Sequence, residues 1–213
     1  MNLFSVAINE KYHKEALRLQ RSVPLDVKVF TEDSDKYKKI NDDPLINALW
    51  HKSNFANYIE KAKGPVIFMD ADMFTLKEDP FKNFKVKRTT EMAYVPYKGK
   101  WGLPDQERQK AFDFHGHKIN SGFMYFKNLK IAQKVCDQWQ YEYLEREKLY
   151  DVQKGTSKHE FDEWALMIAL MKLGTKIELL DGKWNNWHLS DREEIKNSES
   201  IFIQSHHHLD ILD

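Results

Sequence analysis

Short apolar runs alternate with amphipathic stretches from the start of the chain. Residues 3–8 (LFSVAI) and 27–31 (VKVFT) predict strands, and residues 10–22 between them predict a helix. Residues 44–63 predict a longer helix, because apolar side chains recur there at every third or fourth position. The Gly64-Pro65 pair ends that pattern. The first third of the chain therefore predicts two strand–helix units in succession.

The next strand, residues 66–69 (VIFM), is apolar at every position, which is typical of a central parallel strand covered on both faces. Further strands are predicted at residues 92–96, 119–127, 176–180 and 200–204, and helices at 129–148 and 160–173. Residues 97–118 are polar and aperiodic and predict a mobile loop. This order predicts a single α/β domain over residues 1–213. We expect a mostly parallel, Rossmann-like central sheet flanked by helices, with a ligand crevice at the carboxyl ends of the strands.

Net charge, cysteine content and the length of the apolar runs limit which kinds of partner and compartment we expect. Lys plus Arg and Asp plus Glu both total 33, so the formal net charge is zero and no basic footprint for nucleic acid or an anionic membrane is expected. The chain holds one cysteine, Cys136, which excludes an intrachain disulfide and fits a reducing compartment. No signal peptide and no apolar run of about 18 residues is present, so we expect no membrane span. Together these features favour a cytoplasmic protein, of microbial or viral origin.

The strongest chemical signal is Asp70-Ala71-Asp72, directly after the apolar strand at 66–69. Side chains at positions i and i+2 of an extended chain point to the same side, so both carboxylates are expected to converge on one cation. Oxygen ligands of this kind suit Mg²⁺ or Mn²⁺, which keep open positions for phosphate oxygens. The pair therefore predicts a divalent-metal site that grips a phosphorylated ligand. The alternative is two acidic residues that solvate a loop.

One class of phosphohydrolase carries nearly the same sequence motif. Phosphatases of the haloacid-dehalogenase type place an Asp-x-Asp after a strand and use the first aspartate, here Asp70, as nucleophile. Their threonine normally follows sooner than Thr75 does, and their motif normally lies on the first strand of the domain. This interpretation is therefore the weaker one. A non-catalytic module that binds a nucleotide sugar is a second alternative.

Several segments carry a family resemblance in a fixed order. They are residues 66–74 (VIFMDADMF), 119–126 (INSGFMYF), Asp162-Glu163, 183–187 (KWNNW) and 201–206 (IFIQSH). In this order the sequence resembles the GT-A superfamily of nucleotide-sugar glycosyltransferases, particularly the retaining, glycogenin-like branch. The resemblance extends from about residue 3 to residue 208.

The resemblance implies transfer of a hexose from a nucleotide diphosphate sugar, most simply a UDP-sugar, to an acceptor that the sequence does not identify. It implies Mn²⁺ or Mg²⁺ as the cofactor and retention at the anomeric carbon, although no single residue decides between retention and inversion. It also implies a nucleotide-binding half at about residues 1–75 and a sugar and acceptor half at about 76–213.

The resemblance assigns roles residue by residue. The expected catalytic residues are Asp162, Glu163 and Asn120. The expected nucleotide- and donor-binding residues are Ala7, Asn9, Tyr12, Glu32, Lys52, Asp70, Ala71, Ser121 and Gly122. The expected metal ligands are Asp70, Asp72 and one of His206 and His208, with His206 the first choice and Asp70 shared between metal and ribose.

Plainer explanations exist for several of these residues. Acidic residues such as Asp162 and Glu163 are favoured at a helix amino terminus by the helix dipole alone. Lys52 could instead be one of the many lysines whose side chains are simply exposed to solvent. Trp184 and Trp187 could stack on a sugar ring, but core packing is the commoner role of tryptophan. The chain also departs from the family, which usually has Gln or Asp where Glu163 stands.

Overall fold

The computed structural model describes residues 1–97, 106–147, 160–187, 189 and 192–204. Six strands form the main sheet: β1 (Asn2–Val6), β2 (Val27–Phe30), β3 (Val66–Met69), β5 (Met92–Tyr97), β6 (Lys118–Phe126) and β7 (Ile177–Leu179). A second sheet pairs β4 (Met73–Phe74) with β8 (Ile203–Gln204). The helices are α1 (Glu10–Ser22), α2 (Pro44–Ser53), α3 (Gln106–His115), α4 (Leu129–Glu147), α5 (Glu160–Leu173) and α6 (Arg192–Asn197).

The main sheet has the strand order β2-β1-β3-β6-β5-β7. All its strands run in one direction except β6, which is antiparallel to both β3 and β5. The mostly parallel α/β sheet expected from the sequence is thus confirmed. No helix within the described ranges combines the length and the apolar character needed to cross a bilayer.

β3 is apolar throughout because both of its faces are covered. Val66 and Phe68 belong to the core beneath α2, α4 and α5, whereas Ile67 and Met69 belong to the core on the other face, beneath α1. All four side chains are at most 1 % exposed. Burial on both faces removes the usual polar alternation of a strand, which is why the run VIFM predicted a central strand correctly.

Three predicted boundaries are wrong. The helix expected over 44–63 ends at Ser53, where the Ser53 hydroxyl donates to the Trp50 carbonyl and a 3₁₀ turn (Phe55–Tyr58) follows. The loop expected over 97–118 contains α3, whose inner side carries the buried, charged Arg108 and so lacks a clear apolar stripe. The strand expected over 200–204 reduces to β8, because the backbone of residues 201 and 202 bonds instead to Lys183.

The antiparallel direction of β6 determines which residues surround the carboxyl end of β3. Met69 of β3 pairs with Phe123, so the first half of β6 extends past the end of β3 and pairs with β5 there. The amide N–H of Asp70 donates to the carbonyl of Gly122 at 2.8 Å. The polar segment 120–122 therefore lies directly beside Asp70, at the carboxyl end of the central strand.

Candidate active site

A cavity of about 590 Å³ opens at the carboxyl ends of β1 and β3. Nine of the residues expected from the sequence line it: Tyr12, Lys52, Asp70, Ala71, Asp72, Asn120, Ser121, Asp162 and Glu163. Four others, namely Ala7, Asn9, Glu32 and Gly122, are not among its lining residues. His206 and His208 lie outside the described residues. The structure thus brings most of the expected site residues to one cavity.

Asp70 and Asp72 face a common point. The amide nitrogen of Gln204 donates to Asp70 Oδ2 at 3.0 Å and to Asp72 Oδ1 at 3.2 Å. Gln204 reaches both carboxylates because β8 pairs with β4, in which Met73 lies opposite Gln204. The positive end of the amide dipole is held at the point where two carboxylate oxygens converge, a position that also attracts a cation.

These residues fit a divalent cation. Carboxylate oxygens are hard ligands that Mg²⁺ and Mn²⁺ prefer. Within the described ranges, no group of three or more His, Cys, Asp or Glu side chains could hold a metal ion. A cation at Asp70 and Asp72 would therefore need further ligands, such as the phosphate oxygens of a bound diphosphate.

Lys52 links the aspartate pair to α5. Its ammonium lies 2.9 Å from Asp70 Oδ1 and 3.3 Å from Asp162 Oδ2, and its side chain is only 12 % exposed. Burial alone would lower the pKa of Lys52, but the two carboxylates outweigh burial and raise that pKa. Burial raises the pKa of Asp70, against the effect of Lys52 and together with that of Asp72. Lys52 is thus a fixed cation at the centre of the site.

Glu163 reaches the cavity from the first turn of α5. Its Oε1 accepts from the Ser121 backbone N–H at 3.3 Å, and its Oε2 lies 3.1 Å from the ammonium of Lys118. Burial raises the pKa of Glu163, although Lys118 acts to lower it. The neighbouring Asp162 is 2 % exposed and accepts from the Ser121 hydroxyl. Glu163 therefore faces the cavity more openly, whereas Asp162 holds Lys52 and Ser121 in place.

A chain of amides connects β6 to the aspartate pair. The Gly122 N–H donates to Asn120 Oδ1 at 2.9 Å, and Asn185 Nδ2 donates to the same oxygen at 2.7 Å. Asn185 Nδ2 also donates to Gln204 Oε1 at 3.2 Å. Each bond fixes the orientation of the next amide, so Gln204 is left with its nitrogen turned toward Asp70 and Asp72. Asn120 thus orients its neighbours by hydrogen bonds, and it also lines the cavity.

Substitution Gly122→Ala is expected to disrupt this chain. A Cβ at position 122 would lie 2.5 Å from Asn185 Nδ2, 2.5 Å from Gln204 Oε1 and 3.1 Å from Asn120 Oδ1. We expect a cost of about 2–3 kcal/mol, the usual size for overpacking, and a melting temperature lower by about 5–10 °C in a chain of this length. Thermal unfolding followed by circular dichroism measures the change.

Gly182→Ala is the matched control for that measurement. A Cβ at position 182 meets nothing within 4 Å, so its effect should stay within about 0.5 kcal/mol. Equal melting temperatures for the two variants would show that the amide chain tolerates the extra methyl group.

The residues expected at the nucleotide end lie around the start of α1 and the end of β2. Tyr12 lines the cavity, and burial together with Asp72 and Asp70 raises its pKa. Asn9 has φ of 82° and caps α1, its side chain accepting from the Tyr12 N–H. Both oxygens of Glu32 are taken, one by the Asn9 N–H and one by His13 at 2.7 Å. Asn9 and Glu32 therefore shape the loop that presents Tyr12, and the buried Ala7 packs beneath Tyr12.

Sequence reasoning missed several residues that contribute to the site. Gln204, Asn185 and Lys118 hold the carboxylates and amides described above, and Lys11, Glu15 and Tyr97 line the cavity. Trp187 lines the cavity too, whereas Trp184 is buried in the core. Two of these residues could have been found from the sequence. Gln204 is a polar residue that ends the apolar run IFIQ, and Lys118 is a charged residue that begins the strand KINSGFMYF.

Comparison with known proteins agrees with this geometry. The profile of the nucleotide-diphospho-sugar transferase family matches residues 2–207. No curated protein sequence matches the chain. A crystal structure of an active-site mutant of LgtC shares 10% identity at a TM-score of 0.54, over 96% of this chain and 87% of that one.

A second solved structure is that of a glycosyltransferase involved in the glycosylation of the major capsid of PBCV-1. It shares 9% identity at a TM-score of 0.55, over 96% of this chain and 92% of that one. At such low identity the two likenesses describe the fold alone, whereas the family profile covers nearly the whole chain. The chain belongs to the nucleotide-diphospho-sugar transferase family and is a glycosyltransferase with the GT-A fold.

Proposed function

We propose that this glycosyltransferase moves a hexose from a UDP-sugar to an acceptor, using Mn²⁺ or Mg²⁺ held by Asp70 and Asp72, with retention at the anomeric carbon. The observation that carries the proposal is the convergence of the two aspartates on Gln204 Nε2, in a cavity that the carboxylate of Glu163 also lines. Donor chemistry needs both features, because negative charge grows on the leaving diphosphate while positive charge grows on the sugar.

At the diphosphate end, Asp70 and Asp72 would hold the cation. When bound, the ion supplies a Lewis acid for the charge that develops on the leaving diphosphate. Lys52 holds Asp70 in place and keeps a positive charge near the phosphates. Tyr12 lines the same cavity and offers an aromatic ring against which a nucleobase or ribose can pack.

At the sugar end, the Glu163 carboxylate would face the positive charge that develops at the anomeric carbon. Asp162 would position the site by holding Lys52 and Ser121. Tyr97 and Trp187 form an aromatic pair with ring centroids 4.8 Å apart, on which an acceptor sugar can stack. Retention rests on the resemblance to the glycogenin-like branch, and the coupling constant of the anomeric proton in the product tests it.

Calorimetry and donor hydrolysis test the whole proposal. With Mn²⁺ present, we expect UDP to bind more tightly than the other nucleoside diphosphates. We expect a UDP-hexose to be hydrolysed or transferred, EDTA to abolish that turnover, and excess Mn²⁺ to restore it. UDP binding and turnover that both persist in EDTA would contradict the metal site.

Two outcomes would favour the other functions that the sequence allows. Release of inorganic phosphate from simple phosphate esters, with a phosphorylated Asp70, would indicate a phosphohydrolase. Metal-dependent UDP binding without turnover of any donor would indicate a binding module.

A further inference from the structure

Lys118 is a charged residue in a fully buried position. It begins β6, and its side chain is 1 % exposed. The ammonium lies 3.1 Å from Glu163 Oε2 and about 5.7 and 5.8 Å from the ring centroids of Tyr97 and Trp164. An ammonium in such a place is costly unless a carboxylate and ring faces offset its lost hydration. An apolar side chain would fill the same space without that cost.

The position of Glu163 suggests a role for the buried ammonium of Lys118. Glu163 lines the cavity and is 19 % exposed, and both of its oxygens are held, one by the Ser121 N–H and one by Lys118. The other buried ammonium of the site, Lys52, directs its contacts to Asp70 and Asp162. Among the residues that the structure describes, Lys118 is therefore the cation in direct contact with Glu163.

We propose that Lys118 is a positioning residue for sugar transfer: its buried ammonium keeps Glu163 ionised and fixes its carboxylate toward the donor sugar. The proposal rests on the proposed function, in which an ionised Glu163 faces the positive charge at the anomeric carbon. A neutral carboxylic acid at the same place would stabilise that charge far less.

The charges around Glu163 give the direction of the effect. Lys118 on β6 and Lys52 on α2 lower the pKa of Glu163, whereas burial and Asp162 on α5 raise it. Asp70 lies beyond Lys52, and Tyr97 on β5 lies beyond Lys118. Without Lys118 the opposing effects remain, so Glu163 would ionise only at a higher pH.

Steady-state kinetics from pH 5.5 to 9 test the proposal with Lys118→Met, Lys118→Arg, Glu163→Gln and the double variant. We expect Lys118→Met to lower kcat at pH 7 by about 100-fold, the size typical of a lost electrostatic group, with little change in the donor KM. The acidic limb of its pH profile, on which activity rises as Glu163 ionises, should move to higher pH. Lys118→Arg should restore most of the activity, because it keeps the charge.

The double variant separates a role through Glu163 from a purely structural role. Lys118→Met should cost nothing further once Glu163 is Gln, since no carboxylate remains to be ionised. A further loss of similar size in the double variant, or a pH profile that does not move, would overturn the proposal. Lys127→Met is the matched control and should leave kcat unchanged, because Lys127 is exposed and lies one residue past the far end of β6.

NMR keeps the proposal testable without turnover and without a variant that might not fold. In the wild-type protein, the ¹⁵Nζ resonance of Lys118 should shift as the ¹³Cδ resonance of Glu163 titrates. An Nζ resonance that does not shift during that titration would overturn the proposed pairing of Lys118 with Glu163. If no nucleotide sugar is turned over, the proposed function fails on that result, and the NMR titration still decides whether Lys118 sets the charge of Glu163.

Discussion

Substitution Asp72→Asn is expected to lower turnover of the sugar donor by at least about 100-fold, because it removes one of the two carboxylates that we propose as ligands of the catalytic cation. Asparagine keeps the shape of the side chain, and its oxygen can still accept from Gln204 Nε2. The change is therefore one of charge. Donor hydrolysis at saturating Mn²⁺ measures turnover, and electron paramagnetic resonance of free Mn²⁺ measures binding, which we expect to weaken more than about 10-fold.

The fold itself should survive this substitution. Burial is the main cause of the raised pKa of Asp70, and repulsion by Asp72 adds to it, so the metal-free protein loses an unfavourable interaction when Asp72 becomes neutral. We expect a melting temperature without metal that is no lower than that of the wild type. Asp42→Asn is the matched control: its carboxylate is 98% exposed and pairs with Lys39 on the surface. Undiminished turnover in Asp72→Asn would show that the metal lies elsewhere.

The sequence predicted the centre of the fold because the signals there are local. Residues 66–69 are buried on both faces, and this produces an apolar run that ends abruptly at Asp70. α5 matches its predicted bounds of 160–173 because it is a long apolar segment. Five of the nine anticipated cavity residues lie in α5 or directly after β3, and in both places the site residues are adjacent in the sequence.

The parts that sequence reasoning missed depend on contacts between distant residues. The sequence of β6 does not reveal that this strand is antiparallel to β3. That direction nevertheless places Gly122 beside Asp70. Gln204 contacts Asp70 and Asp72 across 134 and 132 residues of chain. Its role arises from the pairing of two-residue strands, which leave almost no periodicity to detect.

The end of α2 was missed for another reason. The apolar spacing continues past Ser53 into the 3₁₀ turn, because Phe55 still packs against Phe68 in the core. Periodicity reports which side chains are buried, and a 3₁₀ turn buries side chains at nearly the same spacing as a helix. Ser53 and Asn54 end the helix through local hydrogen bonds that hydrophobic periodicity does not report.

Substitution Lys52→Met is expected to destabilise the protein by about 3 kcal/mol or more, the usual cost when one partner of a buried ion pair is removed. Methionine fills the space, but Asp70 and Asp162 are left facing each other without the ammonium that lies within 3.3 Å of both. At about 2–4 °C per kcal/mol in a chain of this length, the melting temperature should fall by at least about 6 °C. Differential scanning calorimetry of the metal-free protein measures the change.

Added Mn²⁺ makes the same variant a test of the site as a whole. If the cation binds at Asp70 and Asp72, it replaces part of the positive charge that Lys52 supplied, so Mn²⁺ should raise the melting temperature of Lys52→Met more than that of the wild type. Lys14→Met is the matched control, since its side chain is 75% exposed and, within the described part of the chain, pairs with Glu10 on α1. Its free energy of unfolding should change by less than about 0.5 kcal/mol. Equal effects of Mn²⁺ on Lys52→Met and on the wild type would separate Lys52 from the metal carboxylates and leave it a purely structural cation.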